Sequence, residues 1–315
     1  MEDHIKYLKG KVEGAYQTIL SIAGNSEFKR IEMESIWELI ENTIAAIITY
    51  GSETWTATKK ENTELNKLLD NIIKRILLTP PTTPREALYI ETGLLDPETI
   101  SKKQRINMDH KLKTSQNPRY NKMAQIKGKK SWKETTDKTL KELNISEALT
   151  GKKDTVKRKI KQKTMQYFKS KIEKDGENKS KVKYLLDGIQ DWKPCNRQKY
   201  MMKLSRINAS TIFKARTRMI DAKNNFRGMY EPNLLCRACK VEIETQEHIL
   251  EECPVLHPND TNKTMKNQIF EENTTLLKTT AQNIRKTMEK LYDLHSSHEQ
   301  PSQRERPCDQ GDVQR

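Results

Sequence analysis

Residues 59–78 read Lys-Lys-Glu-Asn-Thr-Glu-Leu-Asn-Lys-Leu-Leu-Asp-Asn-Ile-Ile-Lys-Arg-Ile-Leu-Leu, and their spacing decides the fold class. Leu65, Leu68, Leu69, Ile72, Ile73 and Ile76 recur every three or four positions. An α-helix gathers such residues on one stripe, whereas a strand would scatter them over both faces. Pro80-Pro81 then stops the helix. The pattern extends upstream. Residues 1–24 place Ile5, Leu8, Val12, Ala15, Tyr16, Ile19 and Ile22 on one stripe, ended by Gly24-Asn25-Ser26. A second helix over 28–50 carries Ile36, Trp37, Ile40, Ile44, Ile47 and Ile48 and stops at Gly51-Ser52. Three amphipathic helices with short connections predict a bundle.

Beyond it, a short helix is expected over 84–91 and another through about residue 110, entered at Leu94-Leu95-Asp96-Pro97-Glu98. Residues 1–112 are read as one unit. Residues 113–183 are lysine-rich and broken by Gly128, Gly151 and Gly176, which reads as a basic linker with marginal helices. Residues 184–258 regain helical patterning and end in a compact cysteine and histidine segment. A C-terminal helix is expected over 259–295, and the polar stretch 296–315 reads as a disordered tail. The expected fold is therefore all-α: a helical bundle, a basic linker, and a helix with a small zinc knuckle.

Composition agrees. Hydrophobic residues make up 34 % and charged residues 32 %, too little apolar material for one large core. With 6 % aromatics and 11 each of glycine and proline, a β-sandwich or barrel is not expected. The net charge of +15 directs attention to anionic partners. No run approaches the roughly 18 apolar residues that span a bilayer. The expected partner is RNA or DNA, with no membrane and no small-molecule substrate. Residues 1–25 carry no secretory pattern, so an intracellular location is expected, the nucleus ahead of the cytoplasm.

The sharpest chemical signal is Cys236-Arg-Ala-Cys239, then eight residues, His248, four residues, and Cys253. Two cysteines two residues apart can present both thiolates to one ion from a tight turn. With one imidazole and a third thiolate they offer a closed tetrahedral set suited to one structural Zn²⁺. A closed set leaves no position for an activated water. His257 is a second candidate for the fourth ligand. Cys195 and Cys308 lie outside the cluster and read as free thiols.

Ahead of this segment, residues 199–227 carry Lys199, Lys203, Arg206, Lys214, Arg216, Arg218, Lys223 and Arg227 against the single acid Asp221. On an ideal helix Lys199, Lys203, Arg206, Lys214 and Arg218 share an arc of roughly 120°. Such a row could meet phosphates, and with Arg227 it forms the candidate nucleic-acid contact set. No phosphate-binding glycine loop, dinucleotide fingerprint or His-Glu-x-x-His motif occurs, and no two aspartates are adjacent, so two-metal polymerase chemistry has no ligands here.

Residues 48–55, Ile-Thr-Tyr-Gly-Ser-Glu-Thr-Trp, resemble the segment that follows the catalytic palm in reverse transcriptases of non-LTR (LINE-type) retrotransposons. The continuation is similar as well: Lys74-Arg75-Ile76-Leu77, Thr83-Pro84-Arg85-Glu86-Ala87-Leu88-Tyr89 and Glu91-Thr92-Gly93-Leu94-Leu95. Cys236, Cys239, His248 and Cys253, with Glu244-Thr245-Gln246-Glu247 ahead of the histidine, are similar to the C-terminal Cys-Cys-His-Cys motif of those polyproteins. The resemblance covers about residues 1–110 and 180–258. It implies that residues 1–80 are a helical thumb on a template–primer duplex and that the zinc region binds RNA or target DNA. Family members carry a Tyr-x-Asp-Asp palm ahead of the thumb and an endonuclease domain. Neither matches any residue here, so no enzymatic activity is expected of this chain on its own. It is expected to be a truncated remnant, a co-opted fragment or the end of a longer product. Two alternatives accompany the binding reading: a polymerase piece active only with a palm supplied in trans, and a zinc-stabilised protein-interaction module.

Overall fold

A computed structural model describes residues 2–24, 31–126, 128, 131–145, 153–189, 191–258 and 265–298. Among these the chain is all-α. In order, the helices are α1 (Glu2–Ala23), α2 (Met33–Leu39), α3 (Ala46–Thr49), α4 (Lys59–Ile76), α5 (Arg85–Thr92), α6 (Pro97–Lys113), α7 (Pro118–Gln125), α8 (Trp132–Glu142), α9 (Lys153–Gly176), α10 (Ser180–Gly188), α11 (Lys199–Lys203), α12 (Arg206–Arg216), α13 (Arg227–Tyr230), α14 (Met265–Ile269) and α15 (Thr274–His298). A π-helical turn, Ile40–Ala45, joins α2 to α3, so Met33–Thr49 is one continuous helical run. The only extended pairing among the described residues is an antiparallel bridge between Leu235 and Ile243. The expected tail falls mostly outside the described residues, and Cys308 with it; α15 reaches His298.

Two compact units form. One comprises Met1–Ile220 with Lys266–Ala281, the other Asp221–Met265 with Gln282–Arg315. The expected boundaries at 112/113 and 183/184 both fall inside the first unit.

In that unit α1, the α2–α3 run and α4 pack together as expected. Leu8, Val12, Tyr16 and Ile19 from α1 meet Ile36, Trp37, Ile40, Ile44 and Ile48, and Leu65, Leu69, Ile72, Ile73 and Ile76 from α4. Ile22 departs from its expected stripe: it is exposed, and Ala23 takes the buried position. The cluster does not stop at residue 112. Phe168, Ile172, Val182, Leu185, Trp192, Tyr200, Met201, Ile212 and Phe213 belong to the same core.

Local chemistry fixes the helix ends. Thr58 and Glu61 form a reciprocal capping box at the start of α4, the Glu61 carboxylate accepting from Thr58 N–H at 2.7 Å. Asp96 caps α6, its carboxylate accepting from Thr99 N–H at 2.8 Å with Pro97 at the first helical position. Gly93 ends α5 at φ +65°, and a side chain there would come within 2.7 Å of the Arg197 backbone nitrogen.

The segment expected as a basic linker folds. In α9, Val156, Ile160, Thr164, Phe168 and Ile172 recur every fourth residue and are all buried. Val156 and Ile160 join Ile106, Leu140, Leu143 and Ile145 in a satellite core. Phe168 and Ile172 reach the main one. Lys171 fastens the helix, its ammonium donating to Asp96 at 2.7 Å and Glu98 at 2.6 Å. A narrow stripe suffices because α6 and α5 pack on it, so the low overall apolar content of 113–183 does not prevent packing.

Candidate metal centre

The second unit holds the cysteine and histidine segment. The bridge between Leu235 and Ile243 closes a tight turn, with Cys236 N–H donating to Glu242 O at 2.7 Å and Glu244 N–H to Leu234 O at 2.8 Å. Lys240 takes the left-handed conformation, φ +56°, that such a turn requires, and its N–H donates to Cys236 O at 2.9 Å. Both cysteines thereby face one point.

The other two candidate ligands are His248, which opens the π-helical turn His248–Glu252, and Cys253, which caps its end. Residues five apart on an α-helix point about 140° away from each other. Here Cys253 N–H donates to His248 O at 2.8 Å, the wider π hydrogen bond, and the extra residue per turn brings both side chains to one side. The His248 N–H donates to Thr245 Oγ1 at 2.9 Å and anchors the turn's start.

Cys236, Cys239, His248 and Cys253 converge, their four ligand atoms all within 4.8 Å of one another. Cys236 Sγ lies 3.9 Å from Cys253 Sγ, and Cys239 Sγ lies 3.3 Å from His248 Nε2. Three of the four residues are buried and Cys239 is half-buried. This group could hold one metal ion. His257 does not join it: its Nε2 donates to Ile249 O at 2.9 Å.

The surroundings act on the two thiols of the turn in opposite directions. Burial pushes the Cys236 thiol up to about 12, with Cys253 and Cys239 adding to the rise against N–H donation from Cys239 and Ala238. At Cys239 burial also acts upward, but N–H donation from Glu242 and Val241 and hydrogen bonds with His248 and Cys236 outweigh it, bringing the thiol down to about 7. Glu242 Oε2 stands 3.1 Å from His248 Nδ1 without closing a hydrogen bond, which leaves Nε2 directed at the sulfurs.

Sequence reasoning missed the residues that brace this turn. Arg237, between the two cysteines, points away from the ligands and is buried. Its Nη2 donates to Glu244 Oε1 at 2.8 Å, its backbone N–H donates to Glu244 Oε2 at 2.7 Å, and Nη1 reaches Asp221 Oδ2 at 3.1 Å. Burial opposes charge on Arg237, but Glu244 and Asp221 outweigh it and hold the guanidinium charged. Tyr230 and Tyr292 hydroxyls donate to Asp221 at 3.1 and 2.8 Å. Arg237 and Glu244 inside the cysteine and histidine segment were the available signal, but which charges pair depends on the folded turn.

The candidate nucleic-acid residues do not form one row. The helix expected across 199–218 breaks, because Leu204 and Ser205 are extended and separate α11 from α12. Lys199 pairs with Glu272 at 2.8 Å and Lys203 with Glu34 at 3.2 Å. Arg206 is buried and donates to the carbonyls of Ile76 at 2.8 Å and Arg75 at 2.7 Å, satisfying acceptors left open at the C-terminus of α4. That is a packing role rather than a phosphate contact. Lys214 is half-buried on α12, and Arg218 lies past its end with the guanidinium 4.3 Å above the Tyr184 ring. Arg227 is exposed at the start of α13 and donates to Asn224 Oδ1 at 2.7 Å. Cys195 is a free, exposed thiol.

No helix among the described residues is long and apolar enough to cross a membrane. No family model, curated protein or solved structure matches the chain.

Proposed function

We propose that this is a zinc-stabilised, non-catalytic nucleic-acid-binding protein, related to the C-terminal part of non-LTR retrotransposon reverse transcriptases. The observation that carries the reading is the closed set of three thiols and one imidazole. A zinc tetrahedron with Zn–S near 2.3 Å and Zn–N near 2.0–2.1 Å has edges of about 3.8 and 3.6 Å. The sulfur–sulfur and sulfur–nitrogen separations of 3.9 and 3.3 Å come close to these. Four protein donors fill the coordination sphere, which supports a structural ion. Cys236, Cys239 and Cys253 would bind as thiolates and His248 through Nε2, with Glu242 orienting the ring. A bound zinc would tie the turn at 236–239 to the turn at 248–252. The nucleic-acid part rests on the +15 net charge and on the resemblance at residues 48–55, 74–77, 83–95 and 236–253. The test is metal content together with duplex and single-strand binding of the full chain. One zinc and salt-sensitive binding are expected; absence of both would defeat the reading.

One observation favours a second reading, a protein-interaction module. Met229, Leu235, Val241 and Ile243 are exposed in the second unit, 78, 44, 76 and 48 % respectively. Glu231, Glu242 and Glu252 are exposed in the same segment. With Arg227 and Lys240 also exposed there, this is an apolar surface of mixed charge, which suits a protein better than a phosphate backbone. Partner binding that ignores salt and needs no nucleic acid would support it.

A further inference from the structure

A cationic surface stands on the first half of α9, in the first unit. Residues 157–163 read Lys-Arg-Lys-Ile-Lys-Gln-Lys, with no acid between Asp154 and Glu173. Lys157, Arg158, Lys159 and Lys161 are exposed, and Lys163 is half-buried. The opposite face is fixed by Val156 and Ile160 in the satellite core. Other helices balance their lysines four residues away, Lys113 with Asp109, Lys133 with Asp137 and Lys138 with Glu134, as does the second half of α9, Lys169 with Glu173. Here Lys157 stands four residues from Lys161 and Lys159 four from Lys163, and Arg158, four residues from Asp154, closes no ion pair with it. Like charges at that spacing destabilise a helix slightly. None of Lys157, Arg158, Lys159 and Lys161 meets an acid among the described residues. The fold thus holds a rigid array of cations, about 6 Å apart per turn of helix, that nothing in the described chain neutralises.

The chemistry of the face selects the partner. A helix that lies on a bilayer sends large apolar residues into the acyl region. Those of α9 are turned into the protein's own cores, leaving charge and little else outside. Lys157, Lys161 and Arg158 share an arc of about 100° on the helix and Lys159 lies about 100° further round, so the cations cover its outer side; such a surface, without apolar insertion, fits phosphates, which are read by charge and not by base sequence. We infer that the first half of α9 is the surface through which this protein meets a nucleic-acid backbone, with Lys157, Arg158, Lys159 and Lys161 as the phosphate contacts. The inference rests on the nucleic-acid reading above and moves its binding surface away from Lys199–Arg218.

The experiment uses the full chain and fluorescence anisotropy with duplex and single-stranded oligonucleotides of unrelated sequence at several salt concentrations. Replacing Lys157, Arg158, Lys159 and Lys161 with glutamine should weaken binding by about tenfold or more near 0.1 M salt, equally for every sequence. The slope of log affinity against log salt should shrink by about 0.7–0.9 for each phosphate that is no longer neutralised. A second variant, with Lys157, Lys159 and Lys161 changed to arginine, keeps the charge and should bind like the unaltered chain. Metal content and melting temperature of both variants should be unchanged. Unaltered affinity and slope in the glutamine variant would overturn this surface while leaving the nucleic-acid reading intact. Failure of the unaltered chain to bind any probe would remove that reading and the surface together. Loss of binding to phosphatidylserine vesicles, with oligonucleotide binding retained, would assign α9 to a membrane instead.

Discussion

Cys239 Sγ lies 3.3 Å from His248 Nε2, while the other ring nitrogen faces Glu242 at 3.1 Å. This histidine presents one nitrogen to the cluster and has a carboxylate beside the other, to which Nδ1–H would donate, the arrangement that orients imidazoles in metal sites. Glu242→Gln removes the charge and keeps the shape. Metal affinity, measured by competition with a chromophoric chelator, should fall about 10- to 100-fold. Unchanged affinity would make Glu242 a bystander.

The Arg237–Glu244 pair lies beside the ligands and is buried on both sides, 7 and 0 % exposed by side chain. Removing one partner strands the other, which typically costs about 3–5 kcal/mol, whereas replacing both by apolar groups can be nearly neutral. Arg237→Met alone should destabilise the second unit more than Arg237→Met with Glu244→Leu. A urea titration of each variant decides, and equal losses would show that the pair acts only through packing.

Ile73 is fully buried in α4, in the core that α1 shares with the α2–α3 run. Ile73→Ala should cost about 2–5 kcal/mol by denaturant unfolding of the full chain. Ile160→Ala in the satellite core is expected to fall in the same range, because α9 is packed rather than solvated. A change at Ile160 within error would return residues 113–183 to a linker.

Asp96 supplies a pH-dependent contribution. Burial acts to raise its carboxyl, but Lys171 and Arg85, at 2.7 and 3.2 Å, and the Thr99 N–H outweigh it and hold it below the ordinary aspartate range. A depressed folded value means that the contribution is complete above the unfolded value of about 3.9 and is lost as pH falls through the folded value. Asp96→Asn should therefore destabilise strongly at pH 7 and progressively less below pH 4, read from urea midpoints. A difference independent of pH would show that the charge on Asp96 contributes nothing.

The bundle was legible because Leu65 to Ile76 and Leu8 to Ile19 repeat at a helical interval, and that interval is local. The cluster of Cys236, Cys239, His248 and Cys253 was legible because their spacing is also local. The packing of α9 was not. Its stripe includes Thr164 and is embedded in lysines, so it carries little amphipathic signal until α6 and α5 are placed against it. The basic arc failed for a related reason: one ideal helix was extended through Ser205, a residue type that starts helices. Arg206 reads as surface charge in sequence, and only the fold shows the α4 carbonyls it satisfies.

The central claim is that Cys236, Cys239, His248 and Cys253 hold one zinc ion. Elemental analysis of the purified full chain, with X-ray absorption at the zinc edge, tests it most directly. The account predicts one zinc per chain in a shell of three sulfurs and one nitrogen, with the nitrogen lost in His248→Ala and bound zinc reduced in Cys239→Ser. A chain that binds no zinc, or one whose zinc content and shell are the same in both variants, would contradict it.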